Sequence, residues 1–266
     1  MLADCVDAFA PALEGLVAQW IVVDNLGEGS VGRVVDGLRT PVELIENPTP
    51  RGFAANVNLA VDRAEGRWLL LVNPDTHYLS GRVADAIRYL DQHAEVGIAG
   101  LRLLNPDYSI QQSYRRFPTV AVLAARALAA DRWAWRPGFY RRAMMEDVGD
   151  GQIDVDWVFG ASMLMSRALF HELGGMDERF RLYYEDVDLC YRCRTAGFRV
   201  MVLPSVTLVH QHARQSASQP LGQLWRWHLR SAVRYFVKHR YVVRPRIVLG
   251  SAMASQEGEW PSHDRS

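Results

Sequence analysis

Apolar residues recur every three or four positions at the start of the chain. Leu2, Val6, Phe9, Leu13, Leu16 and Val17 predict an amphipathic helix. The period then shortens. Trp20 to Asp24 (WIVVD) is an apolar run closed by Asn25 and a glycine-rich turn, as a strand is. Val42 to Glu46 predicts a second strand, residues 53–64 a helix, residues 67–73 (RWLLLVN) a buried strand, residues 81–93 a helix and residues 96–101 a strand. Strand and helix alternate at the spacing of a parallel sheet with crossover helices. In such sheets ligands lie beyond the carboxyl ends of the strands, where Asp24 and Asp75 both fall.

The second half is less regular. Residues 115–150 are rich in Arg, Trp and Pro and predict a helix with a long loop. Residues 166–173 and 185–196 read as helices and 198–203 as a strand. From 221 to 241, Leu224, Trp227, Val233, Phe236 and Val237 stand among basic residues, the pattern of a basic amphipathic helix. There is no internal repeat and no clean linker. The expected organisation is one domain over 1–220, a helical appendage over 221–249 and a disordered tail over 250–266.

Composition narrows the class. With 49% hydrophobic residues, and 30 Lys+Arg against 30 Asp+Glu, the chain is a folded globular protein and not a generally basic nucleic-acid binder. The balance hides an asymmetry: residues 213–256 hold eight basic side chains and no acidic one, while 146–188 is rich in carboxylates. Three cysteines make no disulfide framework and fit a reducing cytoplasm; Cys190 and Cys193 form a CxxC without the second pair of a zinc ribbon. Asp4 and Asp7 stand where a signal peptide would be basic, and no apolar run nears the ~20 residues of a membrane span. A cytoplasmic protein is expected, with any membrane contact made from the surface.

Three clusters carry candidate chemistry. Asp75, in Asn73-Pro74-Asp75, leaves an apolar strand where a carboxylate can hold a cation against a diphosphate, although Asn-Pro-Asp is also good turn chemistry. Asp156 to Ala161 and Gly174 to Glu178 precede Tyr183-Tyr184-Glu185-Asp186-Val187-Asp188. Carboxylates at a helix start are favoured by its dipole, yet three in four positions exceed what a cap requires, and one can serve as a general base. His210 and His212 offer imidazoles for a metal or a phosphate.

Taken in order, these pieces resemble an inverting family 2 glycosyltransferase of the GT-A fold, in its rhamnosyltransferase-like branch, from about Trp20 to Tyr241. The matching segments are Val22 to Asn25, Asn47 through Gly52 to Asn58, and Leu70 to Asp75. Gln112-Ser113, Arg115 to Pro118, Asp156-Trp157 with Gly160-Ala161, Gly174 to Leu189, and Val209-His210 with Ser216 follow. The resemblance implies a Rossmann-like, mixed but mainly parallel sheet flanked by helices. It places Asp24, Gly52, Asn58, Asn73 and Asp75 on the donor side, Asp75 and His210 at a divalent cation (Mg²⁺ or Mn²⁺), and Asp186 as the general base. Asp156, Trp157, Gly160, Glu185 and Asp188 fall on the acceptor side. It implies transfer of a sugar, rhamnose from dTDP-rhamnose, to a glycan or polyprenyl-linked acceptor in cell-wall or polysaccharide assembly. The basic helix itself allows two readings: peripheral contact at the inner face of the plasma membrane through Arg226, Arg230, Arg234, Lys238 and Arg240 with Trp225 and Trp227 at the interface, or an apolar stripe packed on the domain with a solvated basic face.

Two departures stand out. The opening strand of the family has no counterpart before the first helix: either the true start lies upstream, or the chain is a weakened or non-catalytic binding relative. Asn73-Pro74-Asp75 replaces a pair of aspartates, a variant of the rhamnosyltransferase-like branch. A nucleotidyltransferase would want a glycine-rich, basic phosphate loop after its first strand, and none is present.

Overall fold

The computed structural model describes residues 1–128, 136–146, 151–211 and 223–240. The expected tail over 250–266, His212, Ser216 and residues 221, 222 and 241–249 lie outside the described residues. Helix α1 (Leu2–Ala8) is shorter than the periodicity predicts. Pro11 has no N–H with which to continue an α-helix, so the chain tightens into a 3₁₀ turn at Ala10–Leu13. Phe9 and Ala12 stay fully buried, so the apolar face survives the break.

There follow β1 (Trp20–Asp24), α2 (Ser30–Asp36), β2 (Val42–Glu46), α3 (Phe53–Val61), β3 (Trp68–Val72), β4 (Thr76–Gly81), α4 (Val83–Gln92) and β5 (Val96–Leu104). Then come β6 (Tyr114–Arg115), α5 (Val120–Ala127), α6 (Gly138–Met144), β7 (Ile153–Val155), β8 (Trp157–Val158) and β9 (Ser162–Ser166). The last elements are α7 (Arg167–Glu172), α8 (Glu185–Thr195), β10 (Arg199–His210) and α9 (Gln223–His239).

The central sheet runs β3-β9-β5-β10-β4, with β7 also on β10. Strands β3, β5 and β10 share one direction; β9, β4 and β7 run against them. The α/β fold with a mixed sheet is therefore as expected, but only β5–β10 in this sheet is a directly parallel pair. The difference comes from β9, a methionine-rich run of five residues without alternation. Its insertion between β3 and β5 was not legible from periodicity. Strands β1 and β2 form a parallel pair of their own, and no strand among the described residues bonds to both β1 and β3.

Successive residues of the sheet alternate between two cores. Ile98, Met163, Met165, Val200 and Val202 point to the side covered by α3, α8 and α9. Ala99, Leu101, Leu164, Met201 and Leu203 point to the side covered by α1 and α4. Helix α9 belongs to the first side: Ala232 and Tyr235 lie buried in it.

Strand β10 is twice the length expected. The chain does not stop at Pro204; the pairing with β5 slips between Leu203 and Thr207, which leaves the proline at an irregularity where no ladder donor is required. The extension carries His210 to a position across from Thr76 on β4.

Candidate functional site

That register brings the first pair together. Asp75 immediately precedes β4 and His210 ends β10, so their side chains meet with His210 Nε2 3.2 Å from Asp75 Oδ1. The Gln211 N–H donates to the Asp75 carbonyl at 2.9 Å and closes the turn. His210 is buried, and its Nδ1 lies 2.7 Å from Gln111 Oε1. A carboxamide oxygen only accepts, so Nδ1 carries a proton and Nε2 is the ring atom turned toward the carboxylate. Two acceptors so placed are served either by a proton, which makes an imidazolium–carboxylate pair, or by a cation. Gln111, held in turn by Asn105 at 3.0 Å, was missed in the sequence, where the neighbouring Gln112 drew attention. Among the described residues no cluster of three His, Cys, Asp or Glu forms around any point.

Asp186 sits in the first turn of α8. Two consecutive non-glycine residues in the left-handed region, Tyr183 (φ 67°) and Tyr184 (φ 70°), turn the chain into that helix. Their rings lean on His228 of α9, which burial drives down to about 4, and Tyr184 also meets Tyr235. Asp186 Oδ1 accepts the Val187 N–H at 2.8 Å and Oδ2 the Gly160 N–H at 3.2 Å. Its surface is partly open, yet the carboxyl lies deep among protein atoms, and this desolvation pushes its pKa up to about 6. Glu185 is buried outright, and its Oε2 has no hydrogen-bond partner among the described residues. Burial, then repulsion from Asp186, holds it well above the carboxylate range and favours its neutral form.

Gly160 and Ala161 link the two centres. The Gly160 N–H reaches Asp186, and the Ala161 carbonyl accepts the Asn73 N–H at 3.3 Å. The Asn73 carbonyl in turn accepts from Thr76 and fixes the turn that aims Asp75.

Asp24 ends β1 and is buried. Its Oδ1 accepts from the N–H groups of Leu26 and Gly27 at 3.0 and 3.2 Å, while Oδ2 finds no partner among the described residues. A buried carboxylate oxygen left unsatisfied is costly and points to a ligand donor. Asn25, Asn47, Asn56 and Arg51 bind one another beside it, with Asn47 Nδ2 2.8 Å from Asn56 Oδ1 and the Arg51 N–H 2.8 Å from Asn25 Oδ1. Gly52 caps α3 where the backbone of Arg181 passes: a Cβ there would lie 2.7 Å from the Arg181 carbonyl oxygen. The Phe53 N–H donates to that oxygen at 3.0 Å. The start of α3 is thus bonded to the segment that leads to Asp186.

The other predicted residues lie in the frame. Asn58 joins α3 to the Gly174–Glu178 loop through the Met176 N–H and carbonyl, both at 2.9 Å. Asp156 accepts the Phe117 N–H at 2.8 Å and pairs with Arg116. Trp157 donates to the Arg116 carbonyl and stacks on Phe159, over which Arg115 sits 5.4 Å from the ring centre. Asp188 is not beside Asp186. It turns, fully buried, into the contact with α9, where it meets Arg192 at 2.9 Å, Lys238 at 2.6 Å and His239 at 2.9 Å. Burial would raise its pKa; His239, Arg192 and Lys238 outweigh it and hold the group ionised.

A sequence profile described as glycosyltransferase like family 2 matches residues 3–230. The chain belongs to that family. Among curated relatives, it is 28% identical over 159 residues to the N-acetylglucosaminyl-diphospho-decaprenol L-rhamnosyltransferase of Mycobacterium tuberculosis, covering 59% of this chain and 51% of the relative. It is 25% identical over 198 residues to rhamnosyltransferase WbbL of Escherichia coli, covering 71% of each. The chain thus spans about half the length of the mycobacterial relative. Among solved structures, GalNAc-T7 with UDP, GalNAc and Mn²⁺ superposes with a TM-score of 0.63 at 12% identity, over 88% of this chain and 44% of that one. The Pyrobaculum calidifontis mannosyltransferase PcManGT with GDP-Man and Mn²⁺ gives 0.53 at 18%, over 85% and 56%. The fold of this family 2 chain is GT-A.

Proposed function

We propose that this family 2 protein transfers a sugar from a nucleotide donor to a glycan or polyprenyl-linked acceptor with inversion, that the donor is dTDP-rhamnose, and that the product enters cell-wall or polysaccharide assembly. The observation that carries the reading is the arrangement of Asp186: a half-open carboxylate with a raised pKa, held by the Gly160 N–H, one dipeptide away from the turn bearing Asp75. Rhamnose rests on the two rhamnosyltransferase relatives.

In this reading Asp24 Oδ2 accepts an N–H of the nucleotide base, and Gly52, Asn58 and Asn73 shape the donor pocket. Asp75 and His210 would hold a divalent cation, Mg²⁺ or Mn²⁺, which supplies positive charge against the diphosphate. The approach of His210 Nε2 to the Asp75 carboxylate, with Nδ1 already engaged by Gln111, fits that group. Asp186 accepts the proton of the acceptor hydroxyl as that oxygen attacks the anomeric carbon, and the electron pair of the breaking C–O bond leaves with the nucleoside diphosphate. Displacement from the opposite face needs no covalent intermediate. Gly160 and neutral Glu185 border the acceptor side; Asp156, Trp157 and Asp188 act through the segments they fasten. The site operates in the cytoplasm; among the described residues no helix is long and apolar enough to cross a membrane.

The test is product analysis. The full chain is supplied with dTDP-rhamnose, UDP-sugars or GDP-sugars and a polyprenyl-diphosphate N-acetylglucosamine acceptor. Rhamnosylated product of inverted anomeric configuration is expected. Turnover with another donor would keep the transferase and replace the sugar, and binding without turnover of any donor would favour a non-catalytic role.

A further inference from the structure

Helix α9 uses one face to dock and leaves the other unpartnered. Ser231, Ala232 and Tyr235 are buried, with Ser231 Oγ donating to the Leu182 carbonyl at 2.9 Å and His228 against Tyr183 and Tyr184. On the outer side Trp225, Leu229, Val233 and Val237 follow at four-residue spacing and are 42%, 48%, 57% and 71% exposed. One position on, Arg226, Arg230 and Arg234 form a parallel basic stripe, while Lys238 beyond them pairs with Asp177 and Asp188. The two stripes border a groove of about 700 Å³ beside Arg179. A helix whose inner face is already satisfied gains nothing for folding from four large apolar side chains in water.

We propose that this face of α9 docks on an anionic lipid surface, with Trp225, Leu229, Val233 and Val237 entering the headgroup boundary and Arg226, Arg230 and Arg234 meeting lipid phosphates. Charge complementarity decides the occupant: residues 223–240 contain Arg226, Arg230, Arg234, Lys238 and Arg240 and no acidic side chain, so the helix attracts an anionic sheet. The helix is amphipathic and too polar to span, which suits lying in the interface. Its inner face abuts Leu182 to Tyr184, the segment that enters α8 and sets Asp186, so docking would put the reacting carboxylate near the bilayer surface. The purpose of such docking rests on the lipid-linked acceptor proposed above; the surface itself can be tested without it.

The experiment is vesicle co-sedimentation of the full chain, using phosphatidylcholine alone and phosphatidylcholine with phosphatidylglycerol, at low and high salt. Wild type should bind the anionic vesicles, bind neutral ones far less, and be released by salt. Arg226→Gln with Arg230→Gln should weaken binding at least ~10-fold, from about fivefold per arginine. Leu229→Ser with Val233→Ser should weaken it in a salt-independent way, and all variants should keep the wild-type melting curve because these side chains face solvent. Equal binding by the variants, or none by wild type, overturns the inference, as does self-association abolished by Leu229→Ser with Val233→Ser, which would make a second copy the occupant. Sugar transfer to a soluble acceptor, run alongside, separates the two claims: turnover without vesicle binding sinks this inference alone, and vesicle binding without turnover sinks the proposed reaction alone.

Discussion

Asp186 shows at the scale of one residue how the proposed role of base would oppose stability. Folding lifts its pKa from 3.8 to about 6 by desolvation, against the hydrogen bonds from Val187 and Gly160. A carboxyl whose pKa rises on folding holds its proton more tightly in the native state. The associated stability is therefore fully present below pH 3.8 and is lost as pH rises through about 6. At neutral pH the protein carries a buried charge that a neutral amide would not impose. Asp186→Asn is accordingly expected to melt above wild type at pH 8, with the gap closing toward pH 4, while sugar transfer falls by ~10²-fold or more. The wild-type kcat/KM should decline as pH drops through about 6. Melting curves and a pH–rate profile check both; a variant less stable at pH 8, or a profile flat to pH 5, would remove Asp186 from the role of base. Glu185, its buried neighbour, makes the pair asymmetric: one carboxyl kept neutral, one poised to titrate near neutrality.

At the scale of elements, the site depends on backbone approaches that only small residues allow. Gly52 has an ordinary φ of −72°, so its glycine is explained by the passage of Arg181 and not by conformation. Gly52→Ala should push the segment of Arg181 to Tyr184 away from α3. The expected cost is ~1–3 kcal/mol of stability, with a fall in kcat/KM larger than the melting shift explains. Urea unfolding with kinetics on the same sample measures both, and wild-type values in each would mean that the contact is loose. Much of this was legible beforehand. β1, β2, α3, β3 and the start of α8 carry strong local signals, and the candidate residues at their ends followed from them. What periodicity could not give was long-range pairing. The central strand β9 has no alternation, β4 looks like the continuation of a turn, and β10 runs through a proline because the irregular register tolerates it. Without β4 beside β10 the meeting of Asp75 with His210 rests on resemblance alone, and Gln111, which fixes the imidazole tautomer, has no signature at all.

Across the whole molecule, contacts form a path from Asp24 and Asn25 through Arg51, Gly52 and Arg181 to Asp186, then through Gly160 and Ala161 to Asn73, Asp75 and His210. The steps are hydrogen bonds or chain continuity, so the end at Asp24 and the end at Asp186 and Asp75 are tied to each other. Helix α9 closes the frame from behind: its Lys238 pairs with Asp188 of α8, and its His239 Nε2 lies 2.9 Å from the same carboxylate. The carboxylate read from the sequence as part of the site thus serves to anchor the helix that bears it.

The central claim is that this path encloses a cation-assisted nucleotide-sugar site, and calorimetric titration of dTDP-rhamnose into the full chain tests it most directly. Binding is expected with Mg²⁺ or Mn²⁺ present, lost in EDTA and lost in Asp75→Ala, with Asp186→Asn binding as wild type does. Binding that is indifferent to EDTA and to Asp75→Ala would contradict the cation site. No binding of any nucleotide sugar to folded protein would contradict the account as a whole.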